Sequence, residues 1–306
     1  MSDRGKFLVL GASGLLGRHV SRLLGPRRVV ATYRSHPVEG AIHFDAATMR
    51  LRDSLLRGAH GFDAAFILYG ITRLDDCARD PAGTSRVNVD SICNAIDDLV
   101  AAGVKPIFSS SDAVFDGSRG MWKELDQPNP ILTYGKQKLQ VERHLQRSAA
   151  PWIIARLSKL VSPVPGPRNM LNDWADQIDL NEEIRCASDL VSSPADVDEA
   201  ARAMIRLAEE PMTGTYHVCG PRPGSRFDFL RMLIGAIGER SRIAPRVSVC
   251  RMADLDFYEP RPLDVSMQPA KLYAALGTVF RDMESICSEF ARNRYAAVAM
   301  AERDAR

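Results

Sequence analysis

Tyr134-Gly135-Lys136-Gln137-Lys138 sets a phenol and an ammonium four residues apart, a spacing that puts both on one face of a helix. A phenol of pKa near 10 is a poor proton donor at neutral pH, and a neighbouring ammonium favours the phenolate. Lys138 is therefore expected to lower the pKa of Tyr134. Ser111, upstream, offers a hydroxyl that would hold a carbonyl or alcohol oxygen beside that phenol. The chemistry is proton transfer at an oxygen, with the hydride carried by a cofactor. Taken alone, a Tyr-x-x-x-Lys pair is weak evidence, because an exposed pair arises often by chance.

What strengthens it is Gly11-Ala12-Ser13-Gly14-Leu15-Leu16-Gly17, with glycines spaced G-x-x-G-x-x-G after a strand-like run and before a helical one. Such a loop gives a tight turn free of Cβ atoms, backbone N–H groups aimed at phosphate oxygens, and a helix N-terminus that favours negative charge. A pyrophosphate-bearing dinucleotide is the expected ligand, against the plainer reading of an ordinary glycine-rich turn. The second strand ends Ala31-Thr32-Tyr33-Arg34-Ser35-His36, without the carboxylate that binds a ribose 2′-hydroxyl. Arg34 offers a guanidinium for a 2′-phosphate instead, so NADP(H) is favoured over NAD(H) unless Arg34 is merely solvated. Asp45, after the third strand, is expected near the adenine.

The elements that must position these groups follow from periodicity. Strands are expected at Lys6–Leu10, Val29–Thr32, Ala41–Phe44, Phe62–Leu68, Pro106–Ser109 and Trp152–Ala155, and helices at Leu15–Leu24, Val87–Ala102 and Tyr134–Arg147. This alternation implies an α/β fold of the Rossmann type, a doubly wound parallel sheet with helices on both faces. Beyond Leu157 the pattern changes. Pro163, Pro165 and Pro167 interrupt it, and helices at Asp196–Glu210, Phe227–Gly238 and Asp282–Glu302 join strands at Thr215–Val218 and Val247–Cys250. The expected organisation is a dinucleotide-binding domain over 1–156, a smaller mixed α/β substrate region over 157–281 whose chain is partly interleaved with the sheet, and a C-terminal helix over 282–306.

Composition bounds the classes. The 306 residues carry a net charge of +2 with basic residues scattered, which gives neither nucleic acid nor an anionic membrane a footprint. Six cysteines lie far apart with no C-x-x-C pair and no histidine at ligand spacing, so reduced thiols and no metal site are expected. With neither a signal-like segment nor an apolar run near 18 residues, the cytoplasm is the expected location.

Further segments resemble the extended short-chain dehydrogenase/reductase superfamily, and within it the dTDP-4-dehydrorhamnose reductase branch. Ser109-Ser110-Ser111-Asp112-Ala113-Val114-Phe115-Asp116-Gly117 is similar to that branch's S-T-D-Y-V-F-D-G segment, and Glu124 to Lys138 to its E-x-D-x-P-x-P-x-x-x-Y-G-x-x-K stretch. Val87-Asn88-Val89, Gly214 to Gly220, Arg261-Pro262 and Lys271-Leu272 match further marks. The resemblance implies NADPH-dependent reduction of a keto group on a nucleotide-activated deoxysugar. Ser111 would orient the oxygen, Tyr134 donate the proton and Lys138 bind the nicotinamide ribose.

It places the cofactor against Gly11, Ser13, Gly14, Leu15, Leu16, Gly17, Tyr33, Arg34, Asp45, Leu68, Tyr69, Gly70, Ser109, Ser110, Tyr134, Lys138 and Leu157. Ala113, where the branch has Tyr, and Leu68-Tyr69-Gly70, where it has an Ala-rich run, depart from the pattern near the substrate, and Tyr69 is a candidate to fill part of the pocket. Arg156, Ser158 and Lys159 are candidates for the nicotinamide end, Asn169 and Trp174 for substrate contact with Trp174 favoured as core, and Arg222, Arg226 and Arg261 for a nucleotide diphosphate. His217 is expected in the core. Alternatives are an epimerase or dehydratase that retains its cofactor, and a non-catalytic binding protein resembling the regulatory subunits of methionine adenosyltransferases. The partner expected is a small nucleotide sugar, with a homodimer left open.

Overall fold

A computed structural model describes residues 5–57, 61–166, 168–241 and 243–304, with Glu239 and 296–304 described by backbone alone. Pro167 lies outside the described residues. In strand Lys6–Leu10 (β1), Phe7 and Val9 face one way, Leu8 and Leu10 the other, and all four are buried. A strand apolar on both faces must be covered on both, so β1 belongs inside a sheet.

Around it the chain builds helix Leu15–Leu24 (α1), strands Val29–Tyr33 (β2), Ile42–His43 (β3) and Phe62–Ile67 (β4), and short helices Leu74–Arg79 (α2) and Pro81–Ser85 (α3). Helix Ser91–Ala101 (α4), strand Lys105–Ser111 (β5), helix Thr133–Leu145 (α5) and strand Ile153–Leu157 (β6) follow. The later chain adds strands Leu160–Val161 (β7), Glu183–Ala187 (β8), Val191–Ser192 (β9), Ala195–Asp196 (β10), Gly214–Val218 (β11), Gly224–Ser225 (β12) and Arg246–Cys250 (β13). Its helices are Met170–Asp179 (α6), Val197–Glu209 (α7), Arg226–Ile237 (α8), Ala270–Leu276 (α9) and Met283–Asp304 (α10).

Seven strands form one parallel sheet in the order β11-β6-β5-β4-β1-β2-β3, the doubly wound α/β architecture that the alternation implied. On one face α1 and α7 pack through Leu16, Val20, Ala200 and Met204 against Phe7 and Val9. On the other, Ile92, Ile96 and Leu99 of α4 and Val141 and Leu145 of α5 cover Leu8 and Leu10. Each buried Leu, Ile, Val, Phe or Met among these contributes about 1.5–3 kcal/mol relative to leaving it exposed. A separate core joins α6, α8, β8 and α10 through Trp174, Phe229, Leu233, Ile286 and Phe290.

Three strands run beyond their expected ends, β2 by one residue to Tyr33, which pairs with His43. Strand β5 continues to Ser111 and β6 to Leu157 because those two residues pair with each other. The turn Arg86–Asp90, expected as ordinary helix from Val87 on, is wound wider as a π-turn, and Asn88 on it is fully buried, bonding the Ile71 carbonyl at 2.9 Å and Gln137 at 2.8 Å. Helix α6 was expected only as an apolar helix face at Trp174, without bounds; Met170, Leu171, Trp174, Ala175 and Ile178 carry its helical spacing behind the N-cap Asn169. Among the described residues no helix is long and apolar enough to cross a membrane, and no cluster of ligating side chains could hold a metal.

Candidate active site

The crevice lies where strand order reverses, between β1 and β4. Gly11 leaves β1 with φ +96°, and a Cβ there would stand 2.9 Å from the Tyr69 backbone nitrogen, so the loops after β1 and β4 touch main chain to main chain. A Cβ on Gly17 would stand 2.2 Å from the Gly11 carbonyl oxygen, which fixes α1 tightly against the loop. Gly14 caps α1 with no side-chain bond, and no acidic residue sits in its first turn. The N–H groups there are left for an anion.

A cavity of about 380 Å³ opens in front of them. It is lined by Gly11, Ser13, Gly14, Leu15, Leu16, Gly17, Tyr33, Arg34, Asp45, Leu68, Tyr69 and Gly70, so most of the expected cofactor positions share one wall. Thr32, Ser35, Phe44, Ala46, Ala47, Ile71, Thr72 and Val87 line it too, and sequence reasoning did not assign them to the cofactor. Thr32 had a readable signal as the neighbour of Tyr33 on β2. Its Oγ1 accepts the Gly11 N–H at 3.3 Å and anchors the loop. The phenol of Tyr69 takes the Ser91 hydroxyl proton at 3.2 Å, and burial raises its pKa.

The proton-transfer candidates stand away from that wall, at the meeting of β5 and α5. A Cβ on Gly135 would lie 2.0 Å from the Ala113 carbonyl oxygen, and this close approach sets Tyr134 alongside the Ser111–Ala113 turn. Helix α5 receives its cap from far down the chain: both carboxylate oxygens of Glu259 accept from the Thr133 N–H, at 3.0 and 3.1 Å. Lys138 is buried with its Nζ donating to the Ser109 carbonyl at 2.8 Å and lying 5.5 Å from the centre of the Tyr134 ring.

The Tyr134 pKa is raised, not lowered as the spacing to Lys138 led one to expect. Burial, then the Asp112 carboxylate, raises it, and the ammonium is bonded to the main chain rather than to the phenol. Burial also pulls Lys138 down, to about 8. Ser111 Oγ donates to Asp112 Oδ1 at 2.9 Å and accepts the Ala113 N–H at 3.1 Å. Ser158 donates to Asp112 Oδ2 at 3.2 Å, and burial lifts Asp112 to about 6.

Ser109, Ser110 and Leu157 are not brought to the cavity wall. The Ser109 hydroxyl donates to the Ile67 carbonyl at 2.8 Å, the Ser110 hydroxyl to Glu142 Oε1 at 2.5 Å, and Leu157 packs on the core at the paired ends of β5 and β6. Arg156 makes a buried ion pair with Glu142, Nη2 to Oε2 at 2.7 Å. His217 is buried edge-on to Phe115, and burial followed by the Arg156 charge pulls it down to about 3, so it is a neutral core residue. Trp174 is core as well, and Asn169 caps α6 by accepting the Leu171 N–H at 3.1 Å.

A second cavity, of about 400 Å³, adjoins Asp112 and Ala113. Lys159, Arg185, Arg226 and Arg261 reach its wall among Leu74, Leu132, Met170, Phe229, Phe257 and Val265. Arg261 is already paired, with Asp75 at 2.5 Å. Burial and the nearby Arg226 lower the pKa of Lys159. Arg222 is exposed and does not line this cavity. Arg185 was missed because it lies on β8, a strand that the sequence reading did not find.

The profile of the RmlD substrate binding domain matches residues 5–295. A probable low-salt glycan biosynthesis reductase, Agl14 of Haloferax volcanii, is 28% identical over 302 residues, covering 92% of this chain and 97% of that one. Methionine adenosyltransferase 2 subunit beta of Bos taurus is 25% identical over 236 residues, 73% of this chain and 69% of that one. Among solved structures, dTDP-4-dehydrorhamnose reductase from Bacillus anthracis in complex with NADP superposes with a TM-score of 0.82 at 20% identity, covering 94% of this chain and 98% of that one. With its glycine loop, its Tyr134–Lys138 pair and its seven-stranded parallel sheet, this chain belongs to the RmlD substrate binding domain family, within the extended short-chain dehydrogenases/reductases.

Proposed function

We propose that this chain is an NADP(H)-dependent reductase acting on a keto group of a nucleotide-activated deoxysugar. The observation that carries the reading is the placement of Ser111, Asp112 and Tyr134 at the join of β5 and α5, with a phosphate-suited loop cavity to one side and a cationic cavity to the other.

The first cavity suits a dinucleotide because Gly11 and Gly17 leave spaces that a Cβ would fill, and because the α1 N–H groups have no side-chain cap. Arg34, Tyr33 and Ser35 on the same wall suit a 2′-phosphate, which favours NADP(H). When bound, the nicotinamide supplies the hydride. The chain's own part is to place the substrate oxygen beside Ser111 and to deliver a proton from the Tyr134 hydroxyl. Burial keeps that phenol protonated until the oxygen gains negative charge. Lys159, Arg185 and Arg226 suit the charge of a nucleotide diphosphate, and the apolar wall suits the deoxysugar. The name of the Haloferax relative, a glycan biosynthesis reductase, fits this substrate class.

The decisive variant is Tyr134→Phe. NADPH oxidation with keto-sugar nucleotides should fall about 10²–10⁴-fold while NADPH affinity stays nearly unchanged. Absence of turnover by the unmodified protein across a panel of such sugars, with tight NADPH binding retained, would overturn the reductase reading. It would support instead a cofactor-binding regulatory role of the kind suggested by similarity to the methionine adenosyltransferase subunit.

A further inference from the structure

Beneath the site lie three buried charges whose arrangement packing alone does not explain. Glu142 stands on α5 one turn beyond Lys138, is fully buried, and accepts from Arg156 Nε at 3.0 Å, from Arg156 Nη2 at 2.7 Å and from the Ser110 hydroxyl at 2.5 Å. A buried ion pair of this kind is seldom better for stability than apolar residues of the same volume, because both ions lose their hydration. Its position shows what else it does. Ser110 lies between Ser109, whose carbonyl receives the Lys138 ammonium, and Ser111. Consecutive residues of β5 are thus gripped by consecutive turns of α5: Ser109 by Lys138 and Ser110 by Glu142.

We infer that Glu142 is a positioning residue. Its carboxylate clamps the strand that carries Ser111 to the helix that carries Tyr134 and Lys138, and it keeps the Lys138 ammonium charged inside the protein. The inference rests on the proposed reductase reading for its effect on turnover, but the charge on Lys138 can be followed without any turnover. Lys138 faces Tyr134 and Glu142 on its own helix, Cys77 from α2, Phe108 and the Ser109 carbonyl from β5, and, one residue further, Arg156 from β6 behind Glu142. The carboxylate of Glu142 is the opposite charge that offsets burial at Lys138, whose pKa is about 8.

The test is an NMR titration of Lys138 in protein labelled on lysine side chains, with Lys138→Arg used to assign the signal, combined with the pH profile of kcat. In Glu142→Gln the Lys138 titration should move to lower pH by about one unit or more, since a nearby opposite charge is worth about 1–3 units. The alkaline limb of kcat should move with it. In Glu142→Gln/Arg156→Gln, where no unpaired guanidinium remains, part of that displacement should be recovered. Ser110→Ala breaks only the grip on β5, so kcat should fall several-fold while the titration stays in place.

A folded Glu142→Gln whose Lys138 titrates as in the unmodified protein overturns the electrostatic role, and unaltered kcat in Ser110→Ala overturns the clamp. If Glu142→Gln does not fold, Glu142→Asp takes its place. The charge is kept but drawn back from Ser110 and Arg156, so kcat should fall with a smaller displacement of the titration, and no change in either overturns the proposal. Absence of turnover in the unmodified protein would count against the reductase reading alone, because the titration still reads Glu142.

Discussion

The side chains that could do chemistry here differ sharply in how far each is constrained. Tyr134, Lys138 and Glu142 are buried on one helix, with Lys138 and Glu142 bonded to their neighbours, whereas Arg34 is exposed on the rim of the loop cavity. An exposed guanidinium contributes little unless a ligand phosphate arrives, and then it can make two charge-assisted hydrogen bonds. Arg34→Ala should therefore leave thermal stability within about 0.5 kcal/mol. It should weaken NADPH at least tenfold, roughly 1.4 kcal/mol, with NADH changed far less. Calorimetric titration with both nucleotides checks this, and equal losses for the two would remove the 2′-phosphate role.

At the scale of elements, the site depends on how closely helices approach strand ends. Helix α1 can sit against the glycine loop only because Gly17 has no side chain, since a Cβ would stand 2.2 Å from the Gly11 carbonyl oxygen. Gly17→Ala must push the helix off the loop, so dinucleotide affinity should drop more than tenfold and the melting temperature should fall. Gly235, exposed on α8 with open space where a Cβ would go, is the control. There the same substitution should raise stability by about 0.5–1 kcal/mol with binding unaltered. Thermal melts and nucleotide titration of the two variants separate a close-packing glycine from an incidental one.

For the whole molecule, the second cavity is only as firm as the second core behind it. Met170 and Phe229 belong both to the wall of that cavity and to the apolar cluster that α10 completes with Ile286 and Phe290. Phe290 is fully buried, so Phe290→Ala should cost about 3–5 kcal/mol in denaturant unfolding. Because α10 touches the β1 core little, the KM for the sugar nucleotide should rise while NADPH affinity changes less than twofold. An equal loss of both affinities would mean that the two cores act as one unit.

Much was legible in local sequence because it obeys local rules. The apolar run Lys6–Leu10, the glycine spacing after it and the i, i+4 placement of Tyr134 and Lys138 are short-range patterns, and they determined the parallel sheet, the loop cavity and the shared helical face. Only the tertiary structure decided which partners those groups meet. Glu259 caps α5 from 126 residues away, β8 brings Arg185 to the second cavity, and Glu142 and Arg156 face each other from a helix and a strand. The same holds for protonation. Sequence placed an ammonium near a phenol, but burial and Asp112 set the Tyr134 pKa, because desolvation depends on everything packed around a group rather than on its neighbour in the chain.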